Sequence, residues 1–233
     1  MRDYLLFIDT ETSGLPKKWD LPYSDNDNWP YAVQVAWVIF TRNGKEIKKE
    51  NFYVNDDDFE ITPAAYRIHG ISREFLLQHG ESREKILKVL AADLMLYRPL
   101  VVGHYMQLDF QVLGADFYRI GLENPLKNFP TFCTMQATAK YVSSPKSKYL
   151  RLDRLFYILF YTDLKNQHQA LADAQATAAC FFEMVKLGDI NNESIIQQQQ
   201  KPSKVNDSPT GLGCNSILIL IISVLTFLFS IWQ

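Results

Sequence analysis

Residues 4 to 12 read Tyr4-Leu5-Leu6-Phe7-Ile8-Asp9-Thr10-Glu11-Thr12, a continuous apolar run from Tyr4 to Ile8 with two acids, Asp9 and Glu11, at its end. A continuous apolar stretch of this length marks a buried strand. Side chains at i and i+2 of a strand share a face, so Asp9 and Glu11 point the same way. Like charges held together are unfavourable unless a cation or a proton relieves them. The alternative, a solvated strand end, fits poorly because Phe7 and Ile8 draw the strand into the core.

Outward from this strand, Val33 to Phe40 (VQVAWVIF) and Lys48 to Val54 read as two more strands, with Asn43-Gly44 as the hairpin turn between them. Ser82 to Tyr97 has helical spacing, with Ser82 as cap and Pro99 as stop. Leu100-Val101-Val102 is a short fourth strand. Gln107 to Ile120 reads as a helix ended by Gly121, and Gln169 to Leu187 as one ended by Gly188. Residues 134–142 and 151–160 also look helical. Three early strands and a fourth embedded among helices predict an α/β domain, a mixed sheet flanked by helices.

Composition sets limits. A hydrophobic fraction of 47% in 233 residues excludes wholesale disorder. The 24 basic residues against 26 acidic ones exclude a broadly basic nucleic-acid coat. Cys133, Cys180 and Cys214 form no C-x-x-C pair, so no disulfide framework or structural zinc site is predicted. Met1 to Thr10 holds no signal-peptide pattern.

The expected domain spans 1–188. Residues 189–215, rich in Asn, Gln and Ser around Gln197 to Gln200, read as a flexible polar linker. Residues 216–232 close with ILILIISVLTFLFSIW, uncharged and without a helix breaker. Its apolar 16 residues would span ~24 Å as a helix, short but feasible for a bilayer core of about 30 Å. A C-terminal transmembrane helix is predicted. Lys201 and Lys204 before it would leave the domain facing the cytoplasm.

Two further acids stand out. Asp109 follows the short strand and the turn Gly103-His104 within an apolar helix start, and reads as either a cap or a ligand. Asp173 lies among alanines five residues after His168. That spacing is not one helix face, so His168 would sit just before the helix, unless it is an ordinary surface or capping residue. Together, four carboxylates on three elements plus one histidine form a kit for two-metal phosphodiester cleavage. Two divalent ions about 3.5–4 Å apart clamp the attacking and leaving oxygens. Hard Mg²⁺ or Mn²⁺ prefers oxygen ligands. A histidine, ordinarily titrating near ~6.5, can take a proton from water.

These residues fall in motifs. The chain resembles the DEDDh exonucleases, which include the bacterial polymerase III proofreading subunit and the Trex enzymes. The resemblance rests on Phe7 to Pro16, on Val101 to Phe110, on His168 to Ala174, and on Ile68 to Leu77 between them. It implies a ribonuclease-H-like fold and removal of nucleotides from 3′ ends. Asp9, Glu11, Asp109 and Asp173 would hold two Mg²⁺ or Mn²⁺ ions, with His168 as general base. Thr12 and Leu15 would meet the terminal nucleotide, with Ile68 and His69 lining the same groove. The expected substrate is single-stranded or frayed DNA. An RNA exonuclease and a catalytically degenerate binding module are the alternatives. A polymerase partner is not expected, because linker and anchor follow the domain.

There are departures. Tyr105 stands where the family commonly has Asn. Lys17 to Pro30 (KKWDLPYSDNDNWP) is inserted after the first motif, either as a lid or stacking loop or as a self-packed surface loop. The best basic cluster, Lys146, Lys148, Arg151 and Arg154, either tracks a nucleic-acid backbone or is a solvated face.

Overall fold

β1 (Tyr4–Thr12) lies at the centre of a five-stranded sheet, which explains its unbroken apolar run. The computed structural model describes residues 1–25, 27–142 and 148–200. β2 (Ala32–Thr41) and β3 (Glu46–Tyr53) continue the sheet antiparallel on one side, joined by a hairpin with Gly44 at φ 83°. On the other side β4 (Leu100–Gly103) and β5 (Thr131–Cys133) run parallel to β1, giving the order β3-β2-β1-β4-β5. The described residues also form the α-helices α1 (Pro63–His69), α2 (Arg73–His79), α3 (Arg83–Tyr97), α4 (Met106–Arg119), α5 (Thr134–Ala137), α6 (Leu152–Phe160), α7 (Ala170–Lys186) and α8 (Asn192–Gln199). This mixed sheet flanked by helices fits the expected ribonuclease-H-like architecture.

The alternation of β1 splits the core in two. Leu6 and Ile8 pack with Leu87 and Leu90 of α3 and Val112, Leu113 and Phe117 of α4. Leu5 and Phe7 pack on the opposite face with Leu155 of α6 and Ala178, Phe181 and Met184 of α7. By the same parity Asp9 and Glu11 face the α7 side.

One boundary differs from expectation. The linker predicted from residue 189 does not begin there. Asn191 caps α8 with a capping box closed by Ser194, and Ile190 and Ile195 are buried in the α7-side core. The Gln198 side chain clasps the outer strand: its Nε2 donates to Cys133 O (3.1 Å) and its Oε1 accepts from Cys133 N (2.9 Å). Two isoleucines and one bidentate amide are enough to dock a polar-looking segment. The expected helix over 134–142 is instead the single turn α5 followed by a 3₁₀ turn at Thr138–Tyr141. The expected anchor, 216–232, and the rest of the linker lie outside the described residues. No helix among the described residues is long and apolar enough to cross a membrane.

Candidate active site

The C-terminal end of β1 gathers the acids. Asp109, in the first turn of α4, accepts at Oδ1 from Thr10 N–H (3.0 Å) and from Thr10 Oγ1–H (2.8 Å). Thr10 points to the α4 side while Asp9 and Glu11 point to the α7 side, so one turn of strand addresses both helices. Gly103 permits the approach: a Cβ there would sit 3.2 Å from Asp109 Oδ2. Further along α4, Asp116 accepts from Ala32 N–H (3.1 Å) and fixes the helix against β2.

α7 is registered on the sheet by Gln34. Its Oε1 accepts from Ala170 N–H (3.1 Å), and its Nε2 donates to Asn51 Oδ1 (2.7 Å). Gln34 pairs with Glu11 across β1 and β2, so this bond sets the start of α7 beside Glu11. Buried Ala170 and Ala174 allow the close approach. Just before α7, His168 takes a left-handed conformation, φ 63°. A non-glycine residue there costs about 1–3 kcal/mol, which persists where the surroundings over-determine it. Here its backbone N–H donates to Asp173 Oδ2 (3.0 Å), closing the turn.

The structure therefore places Asp9 and Glu11 on β1, Asp173 on α7 and His168 just before it, with Asp109 reaching in from α4. Ligand atoms of Glu11, His168 and Asp173 lie within 4.8 Å of one another. Asp173 Oδ1 is buried with no hydrogen-bond partner among the described residues. The carboxylates act on each other. Burial, then the charges of Asp109, Asp173 and Glu11, holds the Asp9 carboxyl well above the usual range. Burial, then Asp173 and Asp109, pushes Glu11 up to about 8. Burial raises Asp109 to about 7 against the hydrogen bonds from Thr10, and burial raises Asp173. An orphaned buried oxygen amid mutually repelling carboxylates, all oxygen donors, fits hard divalent cations.

The second histidine of the motifs has a different environment. His104 is buried between Thr134 Oγ1 (2.9 Å from Nδ1) and Leu150 O (3.1 Å from Nε2). The carbonyl can only accept, so Nε2 carries the proton. Burial lowers its pKa to about 4. It is a neutral strut holding the approach to α6.

The predicted substrate residues flank the acids. Thr12 Oγ1 donates to Gly14 O (2.6 Å). Ser13 O accepts from Thr62 N–H (2.9 Å), which ties the cap of α1 to this turn and sets His69 beside Thr12. His69 Nδ1 accepts from Ile71 N–H (3.0 Å), and the ring lies against the Thr12 backbone. Burial lowers its pKa, with a contribution from the His168 charge. Leu15 (73% exposed) and Ile68 (57%) stand out from the surface nearby. Sequence reasoning missed Thr10 and Gln34 as positioning residues. Their signal was a polar side chain inside an apolar strand.

The insertion 17–30 folds onto α4, apart from Asn26, which lies outside the described residues. Trp29 (3% exposed) is its hub, packed edge-on to Trp19 and Tyr23. Tyr23 Oη donates to Gln111 Oε1 (2.6 Å), and its ring fills the space over Gly114. Of the basic cluster, Lys146 lies outside the described residues. Arg151 pairs with Asp153 (3.4 Å), and Arg154 lies over the Tyr157 ring.

A family model described as exonuclease, RNase_T, matches residues 6–181. Exonuclease I of E. coli in complex with a dT13 oligonucleotide superposes with a TM-score of 0.65 at 20% identity, over 84% of this chain and 43% of that one. The zinc-bound exonuclease I–single-stranded DNA complex gives 0.66 at 20%, over 85% and 43%. A full-length 3′-exonuclease gives 0.63 at 14%, over 80% and 62%. The chain thus spans less than half the length of the exonuclease I structures it matches, and at these identities the likeness is one of fold. No curated protein matches the chain.

Proposed function

Because this chain belongs to the DEDD exonuclease family, we propose that it is a metal-dependent 3′–5′ exonuclease acting on single-stranded or frayed DNA ends, held at a membrane by its C-terminal segment. The observation that carries the reading is the convergence of Asp9, Glu11, Asp109 and Asp173 around a buried, unpartnered carboxylate oxygen beside His168. That related structures hold single-stranded DNA favours DNA as substrate.

In this reading Asp9, Glu11, Asp109 and Asp173 would hold two Mg²⁺ or Mn²⁺ ions. Bound divalent ions supply stabilisation of the negative charge that develops on the attacking and leaving oxygens. His168 takes the proton of the attacking water on a ring nitrogen. Its strained backbone, fixed through Asp173 Oδ2, keeps the ring at the acid cluster. His104 is excluded from this role by its buried, doubly bonded ring. Thr12 and Leu15 meet the terminal nucleotide, with Ile68 and His69 lining the same groove. Leu15 and Ile68 offer apolar edges that grip bases without reading sequence.

The test uses end-labelled single-stranded DNA, duplex DNA and RNA with the metal varied. Single nucleotides should leave the 3′ end of single-stranded DNA, cleavage should stop in excess chelator, and Mg²⁺ or Mn²⁺ should restore it. Cleavage that survives chelation contradicts the reading, and faster RNA turnover contradicts the sugar assignment.

The membrane tether rests on the sequence of 216–232. Full-length protein should stay with membranes through high salt and carbonate, whereas a chain ended between Gln200 and Asn206 should be soluble and active. Full-length protein recovered in the soluble fraction refutes the anchor.

A further inference from the structure

We propose that Trp19 and Tyr105 form a stacking platform for one nucleobase of the bound strand, at the lip of the acid cluster. This deepens the nucleic-acid reading of the site and rests on it.

The platform is built from two departures of the sequence. Tyr105 sits at the start of α4, four residues before Asp109, and follows the Gly103 backbone that abuts the Asp109 carboxylate. Its ring is 38% exposed and lies 5.9 Å from the Trp19 ring at an angle of 55°. At a helix start, an Asn or Asp would cap the backbone and stabilise the helix by about 1 kcal/mol. Tyr105 makes no side-chain cap bond, so the position forgoes that gain in favour of an aromatic surface.

Trp19 is held from behind. Asn28 closes the base of the insertion, accepting from Lys18 N–H at Oδ1 (2.8 Å) and donating to Lys18 O from Nδ2 (2.9 Å). Trp29 Nε1 donates to Leu21 O (3.2 Å), and Tyr23 is locked on Gln111. The two rings meet, with Trp19 partly buried and Tyr105 exposed.

The charges around the pair select the part of a nucleotide that fits. Asp20, Asp25 and Asp27 on the loop are exposed and repel phosphate. An uncharged π face is not repelled, and every base has one. Lys17 and Lys18, exposed next to Trp19, can take the flanking phosphate. The occupant is therefore the base of a single strand, with its backbone turned away from the acids.

The experiment measures binding of the full chain, in detergent and excess chelator, to fluorescent single-stranded DNA oligonucleotides. Each oligonucleotide carries one tetrahydrofuran abasic residue, placed at the first to the fourth nucleotide from the 3′ end. For the unaltered protein one of these positions should weaken binding by about 5- to 150-fold, the range that base–aromatic stacking gives. Tyr105→Ala and Trp19→Ala should bind the intact strand that much more weakly and lose the penalty at that position alone. Tyr105→Phe and Trp19→Phe should keep it. With metal supplied, the alanine variants should raise KM and leave kcat unchanged. Wild-type affinity and an unchanged abasic profile in Tyr105→Ala overturn the proposal, as does equal weakening at every position. Absence of hydrolysis by the unaltered protein would count against the nuclease reading, while the binding profile still decides the platform.

Discussion

Replacing Asp9 with Asn is expected to lower exonuclease activity at least about a thousandfold, and to raise the melting temperature of the metal-free protein. Loss of one carboxylate from a divalent-ion site removes several kcal/mol of charge stabilisation, and each ~1.4 kcal/mol is tenfold in rate. The stability change has the opposite sign for a physical reason. Asp9 is half-buried, and desolvation of its carboxyl is reinforced by the charges of Asp109, Asp173 and Glu11. Its folded-state pKa is raised, as are those of Glu11, from 4.5 to about 8, and Asp109, from 3.8 to about 7. The folded protein therefore binds more protons than the unfolded chain. The stability this contributes is complete below about pH 4 and is lost as pH rises through 7 to 8. Metal-free protein should accordingly weaken across that window, and Asp9→Asn should flatten the decline. At pH 8 the variant should melt roughly 5 °C higher, equivalent to about 2 kcal/mol for a domain of this size. Added Mn²⁺ should stabilise the wild type, releasing protons as it binds, and should stabilise the variant far less. Calorimetry across pH with and without metal reads all of this. A variant that melts lower than wild type without metal, or keeps more than a tenth of its activity, defeats the account.

His168 gives the second large effect, and its backbone separates chemistry from structure. His168→Ala should lower kcat by about 10²–10⁴, the contribution of a positioned general base, with little change in KM. Because the residue sits at φ 63°, His168→Gly should relieve strain. The glycine variant should be more stable than the alanine variant by about 1 kcal/mol and equally inactive. Recovery of activity in the glycine variant would mean that the turn, and not the imidazole, was what turnover needed. Steady-state kinetics and denaturation of the two variants side by side supply the answer.

What could be read in the chain follows from where its information is local. β1, β2, α3, α4 and α7 are long and periodic, and their caps and stops sit at their ends, as with Ser82, whose hydroxyl accepts from Lys85 N–H. β5 has three residues and exists because β4 lies beside it, so no pattern announces it. α1 and α2 have seven residues each, too short for a hydrophobic period to show, though Thr62 and Ser72 cap them. α8 was hidden by composition: its two isoleucines are sparse among Asn, Gln and Ser, and its capping box was the better signal. The acids and His168 were legible because their chemistry is carried by residue type. Gln34 and Thr10 were not, because their hydrogen bonds join residues 136 and 99 apart in the chain.

The Gln198 clasp reaches beyond the site. β5 is the outermost strand on its side of the sheet, and its outward amides and carbonyls would otherwise invite a strand from another molecule. By pairing both backbone groups of Cys133, Gln198 acts as a guard against self-association. A shortened version ending at 188 would discard that guard along with the two buried isoleucines. The protein would then be prone to stick to its own copies, and its catalytic competence would be masked by precipitation.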